Sequence, residues 1–238
     1  EKDKDFFFFQ RQDFSALQQL VVDLCKTRLP SAYGYSPVED IQVLSPTRKG
    51  PSGVVELNKR LQQELNPPAA GKSEIKTPLY TYRKGDKVMQ TKNDYDIIWK
   101  KTDDDEKTES GTGIFNGDIG VITNVNKILK TVTIDFEGRV ATYSLPMLDN
   151  LELAYAVTVH KSQGSEFDAV ILTVYGGFDK LYYRNLLYTA VTRAKKLLII
   201  IGTKKRVEFM IDNNRRTLRY TCLKNMLVEL NNKDEITL

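Results

Sequence analysis

The chain is poor in the residues from which metal centres and nucleophilic triads are built. Its 238 residues include one histidine, two cysteines and one tryptophan. His160 has no companions at ligand spacing, so neither a zinc pattern nor a Ser/Cys–His pattern is legible. Cys25 and Cys222 are too few for a disulfide framework, and they point to a reducing compartment, the cytoplasm. No apolar run approaches the roughly twenty residues of a membrane-spanning helix, and nothing at the start reads as a signal peptide. Charge is nearly balanced, with 35 Lys and Arg against 31 Asp and Glu, net +4. That mild excess neither demands nor excludes a nucleic-acid partner. No carboxylate cluster has the spacing of a metal-dependent nuclease. The chain starts at Glu1 rather than Met, which reads as processing or as a fragment.

A phosphate-binding loop is also wanting. Gly71-Lys72-Ser73 imitates the end of one. Such a loop needs a glycine five residues earlier, a strand before it and a helix after it. Here position 66 is Asn, a helix and two prolines come first, and Thr77-Pro78 breaks any helix downstream. No other candidate exists and no acidic magnesium partner is apparent. The chain is therefore expected to lack the site that holds magnesium and a nucleoside triphosphate.

What is present is a 41% hydrophobic content, enough for one domain with a sizeable core, alone or with a small insert. Phe6–Phe9 reads as a strand. A helix is expected over 16–27, capped by Asp13 or Ser15, because Leu17, Leu20, Val21 and Leu24 recur at helical spacing. Leu29–Pro37 reads as a loop, Ile41–Ser45 as a strand, 46–53 as a loop and Val54–Leu65 as a helix ended by Asn66-Pro67-Pro68. From Leu79 the texture changes to short strands, 87–90, 119–125, 131–136 and 140–145. Asn116-Gly117 and Glu137-Gly138 read as hairpin turns, which together suggest a small barrel. Lys100–Gly113, with its acidic Asp103–Glu106, reads as a mobile loop. Basic residues at 204–206 and 215–219 and a helix over 222–230 close the chain.

The stretch 154–172 organises the rest. Its polar centre, His160-Lys161-Ser162-Gln163-Gly164-Ser165-Glu166, packs a cation, several donors and a carboxylate into one turn before the buried-strand run Ala169–Val174. Gly164 permits close backbone approach, and the donors suit a phosphate-bearing ligand. A second cluster, Arg184–Lys196, leads into another buried run, Leu197–Gly202. A polar turn after one strand and an arginine before another put both clusters near one edge of a parallel sheet, where open α/β sheets bind ligands.

TVHKSQGSEFDAVIL resembles motif V of superfamily 1 helicases, and LLYTAVTRAKKLLIIIG resembles motif VI. The QGSEF spelling and the upstream SPTRKGPSGVVELNKRLQ are most similar to the RecD-like branch. The resemblance implies an α/β fold: a RecA-like parallel sheet flanked by helices, with an inserted SH3-like β-barrel. Residues 1–77 and 151–238 would form the second motor domain and 78–150 the insert. It implies ATP and Mg2+ held mainly by a first RecA-like domain of the same protein, single-stranded DNA as partner and 5′ to 3′ movement. Other recombination or repair subunits are possible company, and the chain alone would not hydrolyse ATP. By the same resemblance Arg193 is the arginine finger. Gln163, Gly164 and Glu166 line the nucleotide cleft. Arg184 and Tyr188 brace motif VI, and Arg184 also has a phosphate-facing option. Thr158, His160, Lys161 and Ser162 contact the DNA backbone. Arg48, at the carboxyl end of its strand, either reaches a nucleotide phosphate or is a solvated surface residue. In the insert Lys92, Asn93, Tyr95 and Trp99 either meet single-stranded DNA or, for the two aromatics, pack the barrel. The alternatives of a different class are a stand-alone nucleic-acid-binding module and a regulatory subunit without ATPase activity.

Overall fold

The computed structural model describes residues 4–102, 107–214, 222 and 226–228. In chain order, β1 (Phe6–Gln10), α1 (Phe14–Asp23), α2 (Leu29–Tyr33), β2 (Ile41–Ser45) and α3 (Val54–Leu65) come first. A run of strands follows: β3 (Glu74–Lys76), β4 (Thr81–Arg83), β5 (Lys87–Gln90), β6 (Asp94–Thr102), β7 (Thr108–Ile114), β8 (Ile119–Asn126), β9 (Thr131–Phe136), β10 (Arg139–Ser144) and β11 (Leu151–Leu153). The chain then returns through β12 (Ala156–Thr158), β13 (Phe167–Val174), α4 (Arg184–Val191), β14 (Ala194–Gly202) and α5 (Lys204–Asp212).

Five strands make an all-parallel sheet in the order β1-β14-β13-β2-β12. Its strands read as unbroken apolar runs because both faces are covered. Successive residues point to opposite sides. Val43, Ile171, Ile199 and Ile201 join the core that includes Leu17, Leu20, Leu57 and Leu61 of α1 and α3. Leu44, Val170, Leu172, Leu198 and Ile200 join Leu186 and Ala190 of α4 and Met210 of α5. This is the expected helix-flanked, RecA-like sheet.

The first helix departs from expectation at both ends. It begins at Phe14, with the Asp13 carboxylate accepting from the Ala16 amide at 2.7 Å. It does not stop at Thr27 but continues through a π turn, Leu24–Arg28, into α2, ending at Gly34 with φ +74°. Pro30 is tolerated because it falls in the first turn of the resumed helix, where a missing N–H costs little. Leu24, Cys25 and Leu29 are buried along it, which is why the segment stays helical.

The other large sheet is antiparallel, in the order β11-β5-β8-β9-β10-β6-β7, and is SH3-like. Glu137 and Gly138 both have positive φ, as a tight hairpin turn between β9 and β10 requires. The expected mobile loop at 100–113 is instead largely a hairpin. Lys100, Lys101 and Thr102 pair with Ser110, Glu109 and Thr108, and the Trp99 indole lies against Gly111, which has no side chain to obstruct it. Asp103–Glu106 lie outside the described residues, as do 215–219 and most of 222–230. Among the described residues no helix is long and apolar enough to cross a membrane.

Two adjacent charges tie the sheets together. Asp86, fully buried, accepts from Gln62 of α3, from Asn66 that caps it, from the Arg83 amide and from the Tyr155 hydroxyl at 2.6–2.9 Å. Lys87, also buried, donates to the Ile41 carbonyl at 3.1 Å and lies 5.6 Å from the Phe167 ring centre. Burial pulls the Lys87 amine down from 10.5 to about 8, against the opposing pull of Cys25, Asp40 and Glu39. A folded-state pKa below the unfolded one means the charged amine costs stability at neutral pH. Stability is recovered as pH rises from about 8 to 10.5. Lys87→Met abolishes this titration. Relative to wild type, the variant is expected to lose about 3 kcal/mol between pH 7.5 and 10.5. Denaturant midpoints at the two pH values check it, and parallel curves would refute it.

Candidate functional site

The turn that follows β12 is shaped from within. Val159 and Ser162 are buried, and the Ser162 hydroxyl donates to the Val159 carbonyl at 2.8 Å. Ser162, expected to face a ligand, therefore closes the turn instead. The burial of 159 and 162 turns His160 outward, where its Nε2 lies 3.1 Å from the Tyr183 hydroxyl. The half-buried Lys161 donates to the Thr91 carbonyl at 3.4 Å and to Asn116 Oδ1, both on the barrel. Thr158, half-buried, ends β12 beside them. Together they line the carboxyl edge of the parallel sheet, in register with the end of β2.

The chain then doubles back. Gln163, Gly164 and Glu166 are exposed, Gly164 has φ +91°, and the Ser165 amide bonds to the Ser162 carbonyl at 3.1 Å. At Phe167 the chain has reached the amino edge, where β13 begins. Arg193, between α4 and β14, meets it there: its carbonyl accepts from the Phe167 amide at 2.8 Å. The half-buried Arg193 guanidinium donates to the Thr189 carbonyl (3.2 Å), the Ser165 carbonyl (3.0 Å) and the Thr192 hydroxyl (3.2 Å). Every acceptor is neutral, and none of the ion pairs among the described residues involves it. The guanidinium is thus oriented but not neutralised.

The two clusters expected at one edge are each spread over both edges. Thr158 is level with Ser45, and Leu44 with Leu172, so Thr158 lies about six residues along the strand direction from Phe167. That is roughly 20 Å at the rise of a β-strand. Thr158, His160 and Lys161 share the carboxyl edge with Arg48. Gln163, Gly164 and Glu166 run toward the amino edge with Arg193. Arg48 follows β2 on the carboxyl side and Arg193 precedes β14 on the amino side. Arg48 is bound to Glu152 of β11 at 2.6 Å.

Arg184 opens α4 on the His160 side. Its amide bonds to the Asn213 carbonyl and its Nε to the Ile211 carbonyl at 2.5 Å, so it anchors the end of α5. Tyr188, expected to brace motif VI, is 70% exposed. Tyr183, Thr91 and Asn116 were not singled out from sequence as partners of this turn; they carry no spacing signal, and Thr91 and Asn116 come from a different sheet.

Among the described residues no group of three or more His, Cys, Asp or Glu side chains is arranged to hold a metal ion. Lys72 of the Gly-Lys-Ser tripeptide is taken up by Asn66 and the Pro67 carbonyl.

Two family models match the chain. That of the ATP-dependent RecD-like DNA helicase SH3 domain covers residues 57–136, and that of the UvrD-like helicase C-terminal domain covers residues 153–201, including both turns and Arg193. The chain belongs to the RecD-like superfamily 1 helicases. It corresponds to the C-terminal part of that family. This RecD-like chain is 37% identical over 163 residues to the ATP-dependent RecD2 DNA helicase of Deinococcus radiodurans, spanning 68% of this chain and 20% of that protein. It is 30% identical over 191 residues to the RecBCD enzyme subunit RecD of Mycolicibacterium smegmatis, spanning 80% of this chain and 30% of that protein. The RecD-like chain thus spans less than a third of the length of either relative. Among solved structures it is similar to the Pif1 helicase from Bacteroides in complex with ADP-AlF3 and ssDNA, with a TM-score of 0.48 and 19% identity over 96% of this chain and 55% of that one.

Proposed function

We propose that this chain is the second motor lobe of an ATP-driven, 5′ to 3′ DNA helicase. It works against a first RecA-like lobe of the same protein that holds ATP and magnesium. In this reading Arg193 is the arginine finger, while Thr158, His160 and Lys161 hold the backbone of single-stranded DNA. The observation that carries it is the Arg193 guanidinium, half-buried, fixed by three neutral acceptors and left without a carboxylate among the described residues.

Phosphoryl transfer to water needs positioning and charge stabilisation more than covalent help. A planar guanidinium already oriented by weak bonds can exchange them for phosphate oxygens without reorganising its surroundings. Ser165, whose carbonyl holds Arg193, adjoins Glu166, which is free to accept from a ribose hydroxyl. Gln163 and Gly164 would line the same cleft. Nucleotide contacts at the amino edge would then act on the turn that begins, one strand length away, with the DNA-holding residues. Closure of the lobes on ATP and their release after hydrolysis would move the strand.

Lys161 tests the DNA side. Lys161→Ala is expected to weaken single-stranded DNA binding without sequence preference. It should flatten the slope of log affinity against log salt by about 0.7, the share of one phosphate. Anisotropy titrations of a labelled oligonucleotide across salt concentrations measure this. An unchanged slope would remove Lys161 from the backbone contact.

A further inference from the structure

We propose that Tyr95 and Phe115 form a base-stacking platform on the barrel, continuing the track that starts at Lys161; this rests on the DNA reading above. The two rings are 66% and 39% exposed and sit edge to face, with centres 5.5 Å apart and planes at 71°. Neither belongs to a core cluster. Trp99, the other aromatic expected to serve here, packs over Gly111 and against the core.

The pose of the pair is built, not incidental. Phe115 lies over Gly113, whose φ is +97° and where a Cβ would meet the ring at 2.8 Å. Its amide donates to Asp118, which Arg139 neutralises. A chain of hydrogen bonds then runs to the phosphate-facing turn. Asn93 donates to the Tyr95 hydroxyl at 3.4 Å, the Asn116 amide donates to Asn93 Oδ1 at 2.9 Å, and Lys161 donates to Asn116 Oδ1. Rings and ammonium are therefore held in fixed relation across two sheets.

Cations beside solvent-facing aromatic rings are the chemistry of sequence-tolerant single-strand binding, the charge taking the backbone and the rings the bases. Lys92 and Lys161 supply the charge. Asp94 and Asp96, beside Tyr95 in the chain, disfavour a phosphate at the rings themselves, so the face of a base is what fits there. Continuity with Lys161 selects nucleic acid over a protein segment as occupant.

The test uses the intact protein with two labelled strands of equal length, oligothymidine and an all-abasic strand, read by anisotropy. Wild type is expected to prefer the base-bearing strand. Replacing Tyr95 and Phe115 together by alanine should lower oligothymidine affinity about tenfold, the scale of one lost stacking contact, and leave the abasic strand unchanged. Tyr95→Ala alone, at a position too exposed to support folding, should show part of that loss on the same strand only. Lys161→Ala should weaken both strands equally. Equal losses on both strands in the aromatic variants, or none on oligothymidine, would overturn the platform while leaving the DNA reading intact. Wild type that binds both strands equally would overturn the platform alone. Wild type that binds neither would overturn both.

Discussion

Arg193→Ala is expected to lower ATP turnover of the intact protein by about a thousandfold, the scale of a lost arginine finger, while changing single-stranded DNA affinity measured without nucleotide by no more than about twofold, since its side chain bonds to none of Thr158, His160 and Lys161. The expectation rests on what the side chain touches. Its bonds go to two carbonyls and a hydroxyl. Losing them costs on the order of 1–2 kcal/mol of stability, too little to unfold the lobe and unable to account for a loss confined to turnover. Arg193→Lys keeps a charge but not the fork that meets two phosphate oxygens, so it should restore only a small part of the rate. Phosphate release at saturating ATP and DNA reads the effect. Turnover near wild type in Arg193→Ala would take the residue out of the chemistry.

Asp86→Ala carries the largest stability effect, a loss of about 3–5 kcal/mol, as expected when the one acceptor shared by several buried donors is removed at about 1–3 kcal/mol for each donor left unsatisfied. Four donors, Gln62, Asn66, the Arg83 amide and Tyr155, converge on that carboxylate. Burial nonetheless holds its carboxyl above the ordinary range. The cost of the variant therefore lies in donors left without acceptors, not in a strong ion lost. Asp86→Asn should recover little of it, because the amide brings a new donor into a ring of donors. Chemical denaturation at neutral pH measures both. A shift below about 1 kcal/mol, the net worth of an ordinary hydrogen bond, would show that the network is dispensable.

The parallel sheet was legible because burial on both faces writes long apolar runs: β2 and α3 emerge at the bounds read from sequence, 41–45 and 54–65. Glycine and proline punctuate both ends of α3, at Gly53 and at Asn66-Pro67-Pro68. The β6–β7 hairpin was not legible. Its residues from Lys100 to Gly111 are almost all polar, and it is a hairpin because Trp99 covers Gly111 and the strands find each other. At the site, the identity of the turn was readable but its direction was not. A string of residues from 158 to 166 reads as one cluster, whereas strand register shows it crossing from one edge of the sheet to the other. The Arg48–Glu152 pair and the Tyr95–Phe115 pair join residues far apart in the chain that no local pattern links.

In the proposed motor lobe one sheet carries two separable devices, a nucleotide-facing arginine at its amino edge and a DNA-holding turn at its carboxyl edge. The most direct measurement is ATP turnover at saturating single-stranded DNA in Arg193→Ala, Lys161→Ala and the double variant of the intact protein. Turnover in Lys161→Ala should return to within about threefold of wild type once DNA saturates. Arg193→Ala should stay about a thousandfold down, and the double variant should equal the product of the two within about twofold. A Lys161→Ala defect as deep as that of Arg193→Ala at saturating DNA, or a double variant no worse than either single one, would contradict it.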